Sequence, residues 1–120
     1  MTEDILQAEI YKYFNNNYCL KHHNPRCAIW SVPNGGLRNK REAIKLKATG
    51  LKAGVSDLIV LMENRCIFVE LKIDKGVQSD KQKEFEIIVN TLGFEYFIVK
   101  SLQEFKNIVC LQSRSTTDKR

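Results

Sequence analysis

The segment Phe68-Val69-Glu70-Leu71-Lys72 ends an apolar run with a carboxylate and an ammonium two residues apart. Side chains alternate along a strand, so Glu70 and Lys72 face one way and Leu71 the other. Taken alone, the triplet is common, and a strand whose end has reached solvent explains it. Asp57 changes the weighing. It stands directly before the apolar run Leu58 to Met62, and only Glu63, Asn64 and Arg65 separate that run from Cys66 to Leu71. A β-hairpin sets the start of one strand beside the end of the other. An odd register sum, such as Asp57 opposite Glu70, puts Asp57, Glu70 and Lys72 on one face. A two-residue or four-residue turn gives that parity; a simple three-residue turn does not, unless a bulge intervenes. Two carboxylates held together repel each other unless a cation lies between them, and oxygen-only ligands favour a hard divalent ion such as Mg2+ or Mn2+. Such a site suits phosphodiester hydrolysis, with the ion polarising a phosphoryl oxygen and activating water. Lys72 would stabilise developing negative charge and orient the attacking water. No His or Ser triad is apparent.

Two further residues stand out. Glu9 lies mid-helix, one turn from Ile5 and Tyr13 and beside Leu6 and Ile10. It is either an edge-of-stripe residue that reaches water or a further acidic group at the site. Gln82 follows Ser79-Asp80-Lys81 and completes a capping box with Ser79, which is the reading that local sequence favours.

The elements that must position these residues follow from periodicity and turn chemistry. A helix runs from Glu3 to about Tyr18, capped by Thr2, with Glu3 and Asp4 suited to the positive end of its dipole. Its apolar stripe includes Ile5, Leu6, Ile10, Tyr13 and Phe14. Cys27 to Val32 reads as a strand, stopped by Pro33-Asn34-Gly35-Gly36. Asn39 to Thr49 is a basic helix closed by Gly50. The two hairpin runs are apolar on both faces, as expected of central strands covered on each side. A helix opens at Ser79 and ends at Gly93, Phe94 to Val99 is a strand, and Ser101 with Glu104 caps a last helix from Leu102 to about Leu111. The result is an α/β sandwich around a mixed sheet.

The chain has 120 residues, 43% apolar and 28% charged, an ordinary composition for one globular domain. That domain is expected over 1–111, with a polar tail over 112–120. No apolar run approaches the roughly 20 residues that span a bilayer, and the acidic, amphipathic start is not a secretory signal. An intracellular, cytoplasmic protein in a bacterial or virus-infected cell is the expectation, with no membrane partner and no organic cofactor. Cys19, Cys27, Cys66 and Cys110 form no CxxC pair and are expected as reduced thiols. Cys19, His22 or His23, and Cys27 could hold zinc, but their spacing matches no tight pattern and a fourth ligand is not evident. The net charge is +5, and its distribution says more than its size. Arg38, Lys40, Arg41, Lys45, Lys47 and Lys52 face only Glu42 in opposition. A cluster of this density attracts phosphate chains, although a lone charge run is as readily a solvated helix face.

Together these residues resemble the VRR-NUC family (virus-type replication-repair nuclease), a branch of the PD-(D/E)xK nucleases. The resemblance runs from Glu9 to about Val99. It rests on Glu9, on Val32-Pro33-Asn34-Gly35, on Gly54-Val55-Ser56-Asp57-Leu58-Ile59, on Glu70-Leu71-Lys72 and on Gln82 after Ser79. It implies a restriction-endonuclease-like core, a mixed central β-sheet flanked by helices. It implies an active site of Glu9, Asp57, Glu70, Lys72 and Gln82, with Asp57, Glu70 and Glu9 at a Mg2+ or Mn2+ ion. It thereby raises Gln82 above its capping role. Asn34, Arg38, Lys40, Arg41 and Lys45 become the expected DNA contacts. Ser56 departs from the family pattern, which usually has proline before the aspartate.

The resemblance further implies a stand-alone form similar to Holliday-junction resolvases, acting on DNA, including branched DNA, as a homodimer. Two other readings stand beside it: a nicking or restriction-like nuclease, and an inactive DNA-binding module that keeps the fold. Intact Asp57, Glu70 and Lys72 argue against the last.

Overall fold

The computed structural model describes residues 1–33 and 40–111. Helix α1 (Glu3–Tyr18) leads into strand β1 (Ala28–Ser31), helix α2 (Lys40–Ala48) and the strands β2 (Leu58–Met62) and β3 (Arg65–Leu71). Helix α3 (Asp80–Thr91), strand β4 (Glu95–Val99) and helix α4 (Leu102–Cys110) complete the chain. The elements thus follow the expected order, within a residue or two at their ends. Asn39, expected to open the basic helix, lies outside the described residues.

The sheet has the order β1-β2-β3-β4. β1/β2 and β2/β3 are antiparallel and β3/β4 is parallel, so the sheet is mixed. The parallel pair requires a crossover, and α3 supplies it. Arg65 belongs to β3 and pairs with Met62, so the hairpin turn is the two residues Glu63 and Asn64. Asn64 takes the left-handed conformation at φ 62°, which asparagine tolerates better than most residues. Arg65 is drawn into the strand because its guanidinium grips Glu95 of β4 at 2.7 and 2.8 Å and donates to the Ile108 and Leu111 carbonyls at the end of α4.

One sheet face is packed. Leu58, Val60, Ile67, Val69, Leu71 and Val99 meet Leu6, Ile10 and Phe14 of α1 and Phe105 of α4, all fully buried. The other face is covered only in part. Phe85 of α3 packs edge-on against Phe68 of β3 and Tyr96 of β4. β2 is not covered on both sides as its composition suggests: Leu61 is 47% exposed. No described helix packs extensively across β1 and β2 on this face. Helix α2 buries none of its residues.

Candidate active site

The β2/β3 register pairs Leu58 with Val69. Continued by one residue, it sets Asp57 opposite Glu70, on the less covered face of the sheet. Asp57 Oδ2 accepts the Leu71 amide at 2.7 Å, which ties the start of one strand to the end of the other. Lys72 shares the face, with its Nζ 3.7 Å from Glu70 Oε2. The structure therefore brings Asp57, Glu70 and Lys72 together through the short-turn parity that the sequence left open.

Glu70 is only 2% exposed. Gln82 Nε2 donates to its Oε2 at 2.8 Å, so Gln82 and Lys72 both attend that oxygen. Oε1 is buried and meets no hydrogen-bond donor among the described residues. Burial, and next the neighbouring Asp57 carboxylate, push the Glu70 carboxyl up to about 8, while Lys72 acts against them. The two carboxyls are near enough to share a hydrogen bond when one is protonated. With both ionised, the same contact is repulsive. A cation is the group that would satisfy both.

The donors fit a hard divalent ion. Among the described residues, no three Asp, Glu, His or Cys side chains converge as a metal-binding group. Mg2+ does not require one, because it commonly keeps several waters and uses one or two carboxylates. Cys19, His22 or His23, and Cys27 likewise form no such group. His23 Nδ1 instead accepts the Leu20 amide at 2.8 Å.

The loop before Asp57 and the helix after Lys72 hold the site in place. Gly54 has φ +87°, and a Cβ on it would lie 2.4 Å from the Lys81 carbonyl oxygen. Its missing side chain lets the loop close directly onto the first turn of α3, which carries Gln82. Ser56, in the position of the family's proline, is 1% exposed and donates its hydroxyl to the Leu58 carbonyl at 3.2 Å. This bond braces the approach to Asp57 in place of a proline ring. Gln82 also caps as expected: its Oε1 accepts the Ser79 amide at 2.9 Å while the Ser79 hydroxyl accepts the Gln82 amide.

Glu9 is placed differently from the expectation. It is exposed, as is Glu3, whose charge is the weakest of those that raise Glu70. At about 100° per residue, Glu3 falls within roughly 20° of the centre of the Leu6, Ile10 and Phe14 face, and Glu9 about 100° off it. Counting Ile5 in the stripe misplaced its centre, since Ile5 is 51% exposed. The spacing of Glu3 from Leu6 and Ile10 was the available signal.

Sequence reasoning also passed over Tyr96. Its phenol is buried, accepts a hydrogen bond from Gln78 Nε2 at 3.3 Å and feels Glu70, Glu86 and Asp57. Burial foremost pushes it up to about 12, so it stays protonated beside the carboxylates. The parallel register that sets Tyr96 beside Phe68 has no local sequence signal.

Of the expected DNA contacts, Asn34 and Arg38 lie outside the described residues. Lys40, Arg41 and Lys45 are exposed on α2, as is Lys47.

A mixed sheet flanked by helices, with paired carboxylates and a lysine at the mouth of a hairpin, defines a nuclease-type domain of restriction-endonuclease-like fold. The VRR-NUC domain model matches residues 3–103, and the chain belongs to that family. A solved structure described as a VRR_NUC domain protein shares the fold. Its TM-score is 0.71 at 23% identity, over 91% of this chain and 85% of that one. No curated protein matches significantly. No described helix is long and apolar enough to cross a membrane.

Proposed function

We propose that the chain is a DNA endonuclease that hydrolyses phosphodiester bonds with Mg2+ or Mn2+ bound at Asp57 and Glu70. The observation that carries this reading is the arrangement of the carboxylate oxygens. Asp57 Oδ2 is taken up by the Leu71 amide and Glu70 Oε2 by Gln82 and Lys72, while the buried Glu70 Oε1 has no donor among the described residues. An ion there would supply Lewis-acid polarisation of the phosphoryl oxygen and a lowered pKa for water. Lys72 is only 14% exposed, and its stem lies close under Gly76, where a Cβ would meet the lysine Cδ at 3.4 Å. Its ammonium is thereby held toward Glu70, where it can donate to a phosphate oxygen or to the attacking water. Gln82 fixes the Glu70 rotamer from the opposite element. The exposed cations of α2 would contact flanking phosphates without reading bases.

Branched DNA as substrate, and a homodimer as the working form, belong to the same proposal. Ile88 and Leu92, one turn apart at the end of α3, and Phe94 behind them are exposed and offer an apolar surface for self-association. Supercoiled plasmid incubated with and without Mg2+ tests the activity. Nicking that appears with the metal and vanishes with EDTA is expected. No cleavage with Mg2+ or Mn2+ on plasmid, flap, fork or four-way junction would leave an inactive DNA-binding module as the reading. Sedimentation velocity measures the oligomeric state.

A further inference from the structure

Trp30 is the chain's single tryptophan and lies on the edge strand β1, 43% exposed. Its Cα partner is Ile59, two residues after Asp57, and Val32 donates its amide to the Asp57 carbonyl at 2.9 Å. Residues two apart share a sheet face. The Trp30 indole therefore stands on the face that carries Asp57 and Glu70, diagonal to Asp57. Diagonal neighbours on one face are about 7–8 Å apart, a distance of the order of one nucleotide step. Half-buried Ile59 and the exposed Leu61 give the ring an apolar bed, and no described helix packs extensively over it.

A half-exposed indole beside a candidate phosphodiester site offers a flat apolar face on which a base can stack. A base inside a continuous duplex is stacked on both sides and cannot present its face to such a ring; an unpaired base can. We propose that Trp30 is the stacking platform for an unpaired nucleobase next to the phosphodiester held at Asp57 and Glu70. The substrate class is then DNA with unpaired nucleotides at the cut, such as a flap, a splayed junction arm or a single strand, rather than continuous duplex. This inference rests on the nuclease reading for the position of the scissile phosphate.

A lone tryptophan makes the test direct. Wild-type protein in EDTA, where turnover does not occur, is titrated with a short single-stranded oligonucleotide, an abasic strand of equal length and charge, and a blunt duplex. Indole emission is followed with selective excitation. Saturable quenching by the base-bearing strand is expected, with little or none from the abasic strand or the duplex. In anisotropy with labelled strands, Trp30→Ala should weaken binding of the unpaired strand at least about fivefold, and Trp30→Phe should recover most of it. Circular dichroism checks the fold of both variants, and the wild-type titration depends on neither. Equal affinity for base-bearing and abasic strands would overturn the proposal, as would equal quenching by duplex. Emission that shifts with protein concentration in the absence of DNA would assign the ring to a second copy of the chain and also overturn it. Quenching in a protein that cleaves nothing with Mg2+ would leave the stacking site standing and remove the nuclease reading. Cleavage without quenching would do the reverse.

Discussion

Gln82 holds Glu70 with one end of its amide and the start of α3 with the other. Its Nε2 is 2.8 Å from Glu70 Oε2, and its Oε1 is 2.9 Å from the Ser79 amide. The capping role and the role at the carboxylates are therefore two ends of one group. The cap fixes the side chain, and the fixed side chain presents a donor to a buried carboxylate.

Gln82→Glu separates these ends. A glutamate still accepts the Ser79 amide, so the cap survives. The donor to Glu70 is lost and another carboxylate joins Asp57 and Glu70. The variant is expected to fold, to melt lower than wild type in EDTA, and to show a changed metal preference with altered kcat. Gln82→Ala loses the cap's return bond as well, about 1 kcal/mol. Metal-dependent kinetics identical to wild type in Gln82→Glu would reduce the residue to its cap.

Glu70→Gln removes a charge and keeps the shape. It should fold, bind DNA with strong salt dependence, and lose nearly all Mg2+-dependent cleavage. Binding without metal should tighten above about pH 8, where the wild-type carboxyl is ionised and faces the phosphate. Replacing Lys40, Arg41 and Lys45 by Ala should instead weaken binding. It should also flatten the slope of log K against log[salt] by about 2 to 3, with less effect on cleavage at saturating DNA. Near-normal cleavage by purified Glu70→Gln would remove Glu70 from the chemistry.

Stability should fall with rising pH when no metal is present. The folded Glu70 carboxyl sits near 8, pushed up by burial and then by Asp57, against 4.5 for the free side chain. Between these values the folded chain binds a proton that the unfolded chain has released. The advantage is complete below about pH 4.5 and is lost as pH climbs through about 8. Urea unfolding in EDTA from pH 5 to 8.5 should show a decline on the order of a few kcal/mol attributable to Glu70. Glu70→Gln should flatten this decline, and added Mg2+ should oppose it at high pH. A Glu70→Gln profile parallel to wild type would refute the assignment.

Glu3 and Glu9 are distinguished by charge removal. Both are exposed, and Glu3 acts on Glu70 as the weakest of the charges around it. Glu3→Gln should shift the Mg2+ concentration for half-maximal cleavage measurably, and Glu9→Gln should leave it near wild type. The opposite pattern would restore Glu9 to the metal site.

Gly54→Ala should be costly far beyond one methyl group. Alanine at φ +87° costs about 1–2 kcal/mol, and its Cβ would collide with the Lys81 backbone at 2.4 Å. The loop and the first turn of α3 must then part, moving Gln82 away from Glu70. A loss of at least about 2 kcal/mol by denaturant unfolding, together with lost cleavage, is expected. Gly50 has φ +111° and no atom within 4 Å of an added Cβ, so Gly50→Ala should show only the backbone cost and serves as the comparison.

Features that depend on neighbours along the chain were legible from sequence alone. Alternation set Glu70 and Lys72 on one face, the Ser79–Gln82 spacing set the cap, and apolar runs with turn residues set the order of the elements. The family pattern pointed to Asp57 and Gln82 beside them. Tertiary packing decided the rest. Arg65 joined β3 because Glu95 and the end of α4 receive its guanidinium, and that choice gave the two-residue turn that puts Asp57 opposite Glu70. The rotation of α1 about its axis, set by which apolar residues the core accepts, put Glu3 nearer the line of the packed face than Glu9. The crossover through α3 brought Tyr96 alongside Phe68 and left Trp30 and Leu61 uncovered. Strand alternation and capping are fixed by bond geometry within a few residues. Turn length, helix rotation and strand order depend on contacts between distant segments, and these form only when the chain packs.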